Sequence, residues 1–258
     1  MDTFIDRAIE AAKAAGEIQR NYFNKGVEVK IKGGEHHNRV TIADLESEEV
    51  IVSLIKKHYP EHNILAEEGE YKKTDSEYKW VIDPLDGTNN FSRGISIFCV
   101  SIALAKNDEV ILGVIYDVLK GELFTAEKGK GAFLNGKKIT VSHNNKWSDC
   151  LLVTGFYYDR GQAMMQNLDI IRKFFLAGVL GIRRFGSAAL DLCYVACGRL
   201  DGYWEFELNP WDFSAGKCIL EEAGGKITDK NGENFPIEVS YIVASNGKIH
   251  NNMLKILR

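Results

Sequence analysis

The run Tyr78-Lys79-Trp80-Val81-Ile82-Asp83-Pro84-Leu85-Asp86-Gly87-Thr88 constrains the fold more than any other stretch. Apart from one lysine, Tyr78 to Ile82 is aromatic or β-branched, a short apolar segment that reads as a buried strand. It ends on the Asp83 carboxylate, and Pro84, lacking a backbone N–H, stops the strand there. A second carboxylate, Asp86, follows three residues on, and Gly87-Thr88 suits a tight turn into a helix start. Two acids at a strand end beside a helix N-terminus suit hard cations and a phosphate. The carboxylates supply oxygen ligands, and the free N–H groups of the first helical turn face the anion. Asp-Pro and Asp-Gly are also common turn dipeptides, so a plain polar turn is the competing reading.

The rest of the chain can enclose such a site. Its 258 residues, 45% of them hydrophobic, fit one large α/β domain or two lobes sharing an interface. No Gly/Ser/Pro-rich linker divides it, so we expect one compact body over 1–258, with lobes of roughly 1–145 and 146–258. A formal net charge of −4 shows no basic excess and argues against general nucleic-acid binding. The N-terminus has no apolar h-region and carries Asp2 and Asp6, so no signal peptide is expected. No apolar run approaches the ~20 residues that span a bilayer. The five cysteines (Cys99, Cys150, Cys193, Cys197, Cys218) include no C-x-x-C pair and point to reduced core thiols in a cytoplasmic protein. Cys193 and Cys197, spaced i, i+4, read as a core stripe rather than as metal ligands.

In chain order, residues 2–23 have the spacing of an alanine-rich amphipathic helix, and Val27 to Ile31 alternates like a half-exposed strand. The loop Lys32 to Asn38 carries His36-His37, which we read as solvated loop residues rather than a metal pair. Thr41-Ile42-Ala43-Asp44 has capping-box spacing, which already gives Asp44 a structural task; the helix it opens runs to Tyr59 and closes at Pro60. Asn63 to Ala66 reads as a strand that also ends on acids, Glu67 and Glu68. Strands Phe98–Lys106 and Val110–Val118 meet at Asn107-Asp108, a hairpin signal, and the sheet continues as a meander to Ile139. Gln162–Leu176 reads as a helix with Met164, Met165, Leu168, Ile171 and Phe175 on its apolar side. Val179–Phe185 reads as a strand, and Gly186-Ser187-Ala188 opens the next helix. Leu200–Phe206 is a strand carrying Glu205. Asp212 falls in the first turn of a helix ended by Gly224-Gly225, where the dipole stabilises a carboxylate with or without a metal.

Glu67-Glu68, Asp83-Pro84-Leu85-Asp86-Gly87-Thr88, and Trp211-Asp212 with Ala215-Gly216 together resemble the inositol monophosphatase family, magnesium-dependent and lithium-sensitive phosphatases. The resemblance runs from the first helix to Ser245-Asn246. It implies an α/β fold, a layered α-β-α-β-α sandwich also found in fructose-1,6-bisphosphatase, and hydrolysis of a phosphate monoester. By position it places Glu67, Asp83 and the Leu85 carbonyl on a first Mg2+. Asp83, Asp86 and Asp212 fall on a second, with Glu67 shared by a weaker third. Gly87 and Thr88 would offer N–H groups to the phosphate, and Asp44 and Thr88 would orient the attacking water. Gly186, Ser187, Ala188, Glu205 and Asp212 would line the alcohol pocket. A homodimer is implied as well. Ser187 and Arg183-Arg184 look more like bacterial or archaeal members, several of which also hydrolyse fructose 1,6-bisphosphate.

Charge arithmetic supports this arrangement independently. Glu67, Asp83, Asp86 and Asp212 gathered without cations would carry about −4, and two divalent ions cancel that. A third would bind with a phosphate dianion. Haloacid-dehalogenase phosphatases also place two acids after a strand, but one residue apart rather than two. In an extended segment the step of three here turns Asp83 and Asp86 to opposite faces unless Pro84 bends the chain. A non-catalytic metal-binding protein would have tolerated loss of a ligand, yet every matched acid is present. The expected substrate is myo-inositol 1-phosphate, with sugar phosphates, fructose 1,6-bisphosphate above all, as the runner-up.

Overall fold

The computed structural model describes residues 3–25, 29–31, 39–156 and 161–258, with 29–31 and Arg39 described by backbone alone. The Lys32–Asn38 loop, with His36-His37, lies outside the described residues. In chain order the elements are α1 (Phe4–Lys25), β1 (Val29–Ile31), β2 (Arg39–Thr41), α2 (Ile42–His58), β3 (Asn63–Ala66), β4 (Tyr78–Asp86) and the single turn α3 (Thr88–Phe91). A meander follows: β5 (Cys99–Lys106), β6 (Glu109–Asp117), β7 (Glu122–Glu127), β8 (Gly131–Leu134) and β9 (Lys137–Ile139). Then come β10 (Leu151–Thr154), α4 (Gln162–Leu176), β11 (Gly181–Arg183), α5 (Ala188–Ala196), β12 (Gly202–Leu208), α6 (Pro210–Glu222), β13 (Lys226–Thr228), β14 (Ser240–Ser245) and α7 (His250–Leu257).

The alternating strands assemble into a seven-stranded sheet, ordered β3-β4-β5-β6-β7-β8-β9, and a five-stranded sheet, ordered β11-β10-β12-β14-β13. Helices α1 and α2 cover the outer face of the first sheet, where alanines of α1 (Ala8, Ala11, Ala12, Ala15) allow close approach to Trp80, Ile82 and Val114. Helices α5 and α6 fill the space between the sheets, around Leu190, Leu192, Phe213 and Ile219. Helices α4 and α7 cover the far side of the second sheet, around Phe174, Trp204 and Met253. The result is the expected α-β-α-β-α layering. The five cysteines are free, and all but Cys197 are buried. No helix among the described residues is long and apolar enough to cross a membrane.

Two expectations need correction. Strand β4 does not stop at Asp83 but continues through Pro84 to Asp86. Asp83 pairs with Ser101 and Asp86 with Cys99, so three steps on β4 oppose two on β5. That bulge takes Pro84 out of the ladder, which is where a strand tolerates proline. Helix α4 buries Asn167, Ile170 and Phe174, while Met165, Leu168 and Phe175 are exposed. Its inward face is rotated because Asn167 bonds β10 and β12: its Nδ2 donates to the Gly155 carbonyl at 2.8 Å, and the Trp204 indole donates to its Oδ1 at 2.7 Å.

Helix α7 is latched by the buried His250, whose Nδ1 and Nε2 each lie 3.0 Å from a hydroxyl, those of Ser245 and Thr228. Burial, with a lesser push from Lys226, lowers its pKa to about 4 from an ordinary 6.5. The unfolded chain therefore binds one more proton than the native state between these values. This contribution is whole above pH 6.5 and is lost as pH falls toward 4. Replacing His250 by Gln should flatten the acid side of the stability curve. In urea titrations, parent minus variant stability should fall by roughly 1–2 kcal/mol between pH 7 and pH 5; parallel curves would show that His250 does not titrate this way.

Candidate active site

The register of the first sheet brings the acids together. Strands β3 and β4 run parallel with Ala66 beside Ile82, so the next residues, Glu67 just past the end of β3 and Asp83 still within β4, fall at the same end of the sheet. The bulge at Pro84 then carries Asp86 to the end of β4. Asp212 arrives from the other side of the middle layer, in the first turn of α6, where it completes a capping box with Asn209. The Asn209 N–H donates to its Oδ2 at 2.7 Å. Helix α6 lies against β4, β5 and β6, and the Ser101 hydroxyl donates to the Trp211 carbonyl at 3.4 Å. Glu67, Asp83, Asp86 and Asp212 thus line one cleft of about 350 Å3.

Asp86, Asp83 and Asp44 are each held from behind. The N-cap Ser187 of α5 donates its hydroxyl to Asp86 Oδ2 at 2.6 Å, and the Ala189 N–H donates to the same oxygen at 2.8 Å. One oxygen of Asp86 is therefore fixed by the start of α5, as expected for a carboxylate at a helix N-terminus. Asp83 Oδ1 accepts from the Leu85 N–H at 3.0 Å. Asp44, fully buried, caps α2 with Oδ2, which accepts from the Thr41 N–H at 2.8 Å. Its Oδ1 accepts the Thr88 hydroxyl at 2.8 Å, across 44 residues of chain. Gly87 has a φ of +100°, and a Cβ there would lie 2.9 Å from the Ile97 carbonyl; no other residue fits this turn without strain.

Burial is the largest influence on the carboxylates. It raises Asp83 well above the usual range, with the charges of Glu67, Asp86, Asp212 and Asp44 adding to it. Asp212 is raised by burial and by Asp86 and Glu67. Asp86 is raised by burial to about 6, the bonds from Ser187 and Ala189 holding it back. A cluster of this kind is satisfied by protons or by cations. The donors are carboxylate oxygens and backbone carbonyls, the set that suits a hard divalent ion such as Mg2+ rather than a thiophilic one. Among the described residues no three acids close on a common point as a finished cage. They line an open cleft with room for further oxygens from water or phosphate.

Of the predicted residues, Glu67, Asp83, Leu85, Asp86, Gly87, Thr88, Gly186, Ser187, Ala188, Glu205 and Asp212 line the cleft, and Asp44 stands behind Thr88. Glu205 on β12 accepts the Tyr203 hydroxyl at 2.7 Å; burial raises its pKa to about 7, opposed by that bond and by Arg184. Sequence reasoning missed Asn90, whose Nδ2 donates to the Ile97 and Phe185 carbonyls at 2.9 and 2.7 Å and ties α3 to the segment before α5. It also missed the pocket role of Arg184 and Phe156. The Asp-Gly-Thr-Asn-Asn pattern held no signal that the second asparagine, not the first, turns inward. A larger groove of about 1170 Å3 lies beside α4 and the C-terminus, but it has none of these acids.

A model described as the inositol monophosphatase family matches residues 1–258. The chain is 41% identical over 258 residues to a Neisseria meningitidis protein named putative Nus factor SuhB, covering all of this chain and 98% of that one. It is 41% identical to an inositol-1-monophosphatase of Synechocystis, covering all of this chain and 89% of the other. A crystal structure of the extragenic suppressor protein suhB from Bartonella henselae superposes with a TM-score of 0.93 at 39% identity, covering 98% of each chain. The chain belongs to the inositol monophosphatase family of phosphatases.

Proposed function

We propose that this protein is a Mg2+-dependent phosphomonoesterase whose substrate is myo-inositol 1-phosphate. The observation that carries the reading is the gathering of four buried or half-buried carboxylates from three separate segments on one cleft, beside the Asp44–Thr88 pair. Glu67, Asp83 and the Leu85 carbonyl would hold one ion, and Asp83, Asp86 and Asp212 a second, with Glu67 shared by a third that enters with phosphate. Bound there, magnesium supplies the charge that polarises the phosphate, activates water and offsets the negative charge developing on the leaving oxygen.

The chain's own residues do the rest. The Thr88 hydroxyl donates its hydrogen bond to Asp44 at 2.8 Å, the nearer of its two acceptors, with the Leu85 carbonyl at 3.1 Å, so its lone pairs are left to accept from a water in the cleft. A water bound to Thr88 is held by one O–H with its oxygen free to attack, and Asp44, shut off from solvent, keeps the hydroxyl in that orientation. Gly87 and Thr88 offer backbone N–H groups to the phosphate oxygens. Gly186, Ala188 and Glu205 form the wall that meets the alcohol; the Ser187 hydroxyl is spent on Asp86 and acts on the acid rather than on the substrate. Glu205 is seated against Gly155, where a Cβ would overlap its carboxyl group.

One observation favours a second substrate. Arg184 is the cationic side chain lining the cleft among the described residues, and a guanidinium suits a second phosphate, as in fructose 1,6-bisphosphate.

Phosphate release from myo-inositol 1-phosphate should require added Mg2+ and vanish in EDTA. Asp83→Asn and Asp212→Asn should each lower kcat/KM by at least ~100-fold, about 2.7 kcal/mol; losses under threefold would remove these acids from the reaction. Thr88→Val should lower kcat far more than it raises KM, because it removes the water's acceptor. Gly155→Ala should do the reverse for inositol 1-phosphate, by pushing Glu205 into the alcohol pocket. If fructose 1,6-bisphosphate exceeds inositol 1-phosphate in kcat/KM by ~10-fold or more, the Arg184 reading of the substrate prevails.

A further inference from the structure

Helix α1 carries a side chain whose position packing does not explain. Gln19 is fully buried, and its Nε2 donates to the Pro84 carbonyl at 2.6 Å, 65 residues away, with the buried Ser47 hydroxyl at 3.4 Å. Its Oε1 is buried with no hydrogen-bond partner among the described residues. A buried amide with an orphan oxygen costs stability, and methionine would fill the same volume without that cost. What the amide contributes is its N–H group.

The acceptor is a consequential one. The Pro84 carbonyl and the Leu85 N–H belong to one planar peptide unit, and the Leu85 N–H donates to Asp83 Oδ1. Gln19 thus grips one end of a rigid plane whose other end orients the Asp83 carboxylate. The plane lies in the bulge between Asp83 and Asp86, out of register with β5, so no ladder partner keeps it from turning. Rotating it would withdraw the Leu85 N–H from Asp83 and, by moving the Leu85 Cα, disturb the next peptide, whose Leu85 carbonyl accepts from the Thr88 hydroxyl at 3.1 Å.

We propose that Gln19 is a positioning residue for the cation site, its amide holding the Pro84–Leu85 peptide so that Asp83 and the Leu85 carbonyl face the cleft together. The proposal rests on the reading of that cleft as a divalent-cation site. It assigns a role in metal affinity to a helix that touches neither substrate nor ion.

The test is calorimetric titration of MgCl2 into the metal-free parent, Gln19→Met and Gln19→Glu, with melting measured in EDTA. Gln19→Met removes the donor and the orphan oxygen at equal volume, and Gln19→Glu places an oxygen where the donor stood. Both should raise the Kd for Mg2+ at least fivefold, with the Tm of Gln19→Met in EDTA within about 3 °C of the parent. At saturating Mg2+, kcat for inositol 1-phosphate should return to within about threefold of the parent. A rise in Kd below fivefold overturns the proposal. So does a Tm loss above about 3 °C accompanying the weaker binding in both variants, or failure of both to fold, since Gln19 would then serve general stability. A parent that binds no Mg2+ overturns the cation-site reading first, and this proposal with it.

Discussion

Like charges gathered in a buried cleft are what the rest of the structure is arranged to tolerate. Asp83, 2% exposed, and Asp86, 8% exposed, share a cleft of about 350 Å3 with Glu67 and Asp212. Left ionised and unpaired, such a group would cost several kcal/mol per charge. The protein answers in two ways. Backbone N–H groups at the starts of α5 and α6 take one oxygen each from Asp86 and Asp212, and the pKa of every acid in the cleft for which a shift is resolved moves upward. Neither device neutralises the cluster, and on the proposed reading the remaining charge is what divalent ions would balance.

The layering makes this possible. Acids at the edge of a lone sheet would face water; here α5 and α6 fill the space between two sheets, so helix starts from the middle layer meet strand ends from the first. Asn90 stitches the junction through the Phe185 carbonyl. The Asp86–Ser187 bond spans 101 residues, so the two halves of the chain must be folded onto each other before the cleft exists.

Local chemistry was readable in the residues. The Thr41/Asp44 spacing announced its capping box, and Asn107-Asp108 announced a hairpin in which both residues take positive φ. The acids of the cleft stood out because each follows an apolar strand or opens a helix. What could not be read were effects of distant partners. Pro84 should end a strand, and it does not, because β5 pairs on both sides of a bulge. The inward face of α4 follows Asn167 rather than the larger apolar residues, because its partners lie on β10 and β12. Nothing in the spacing of the first helix marks Gln19, because its acceptor lies 65 residues on. The spacing around Asp44 announces only its cap; its pairing with Thr88, 44 residues on, is implied by the family resemblance and not by local pattern.

The central claim is a charge balance, and counting ions tests it most directly. Equilibrium dialysis of the metal-free protein against MgCl2 at pH 7.5, with and without inorganic phosphate, measures the number of Mg2+ bound per chain. The four carboxylates call for two ions without phosphate, and a third when the phosphate dianion is present to balance it. Less than one ion per chain under both conditions would contradict the account.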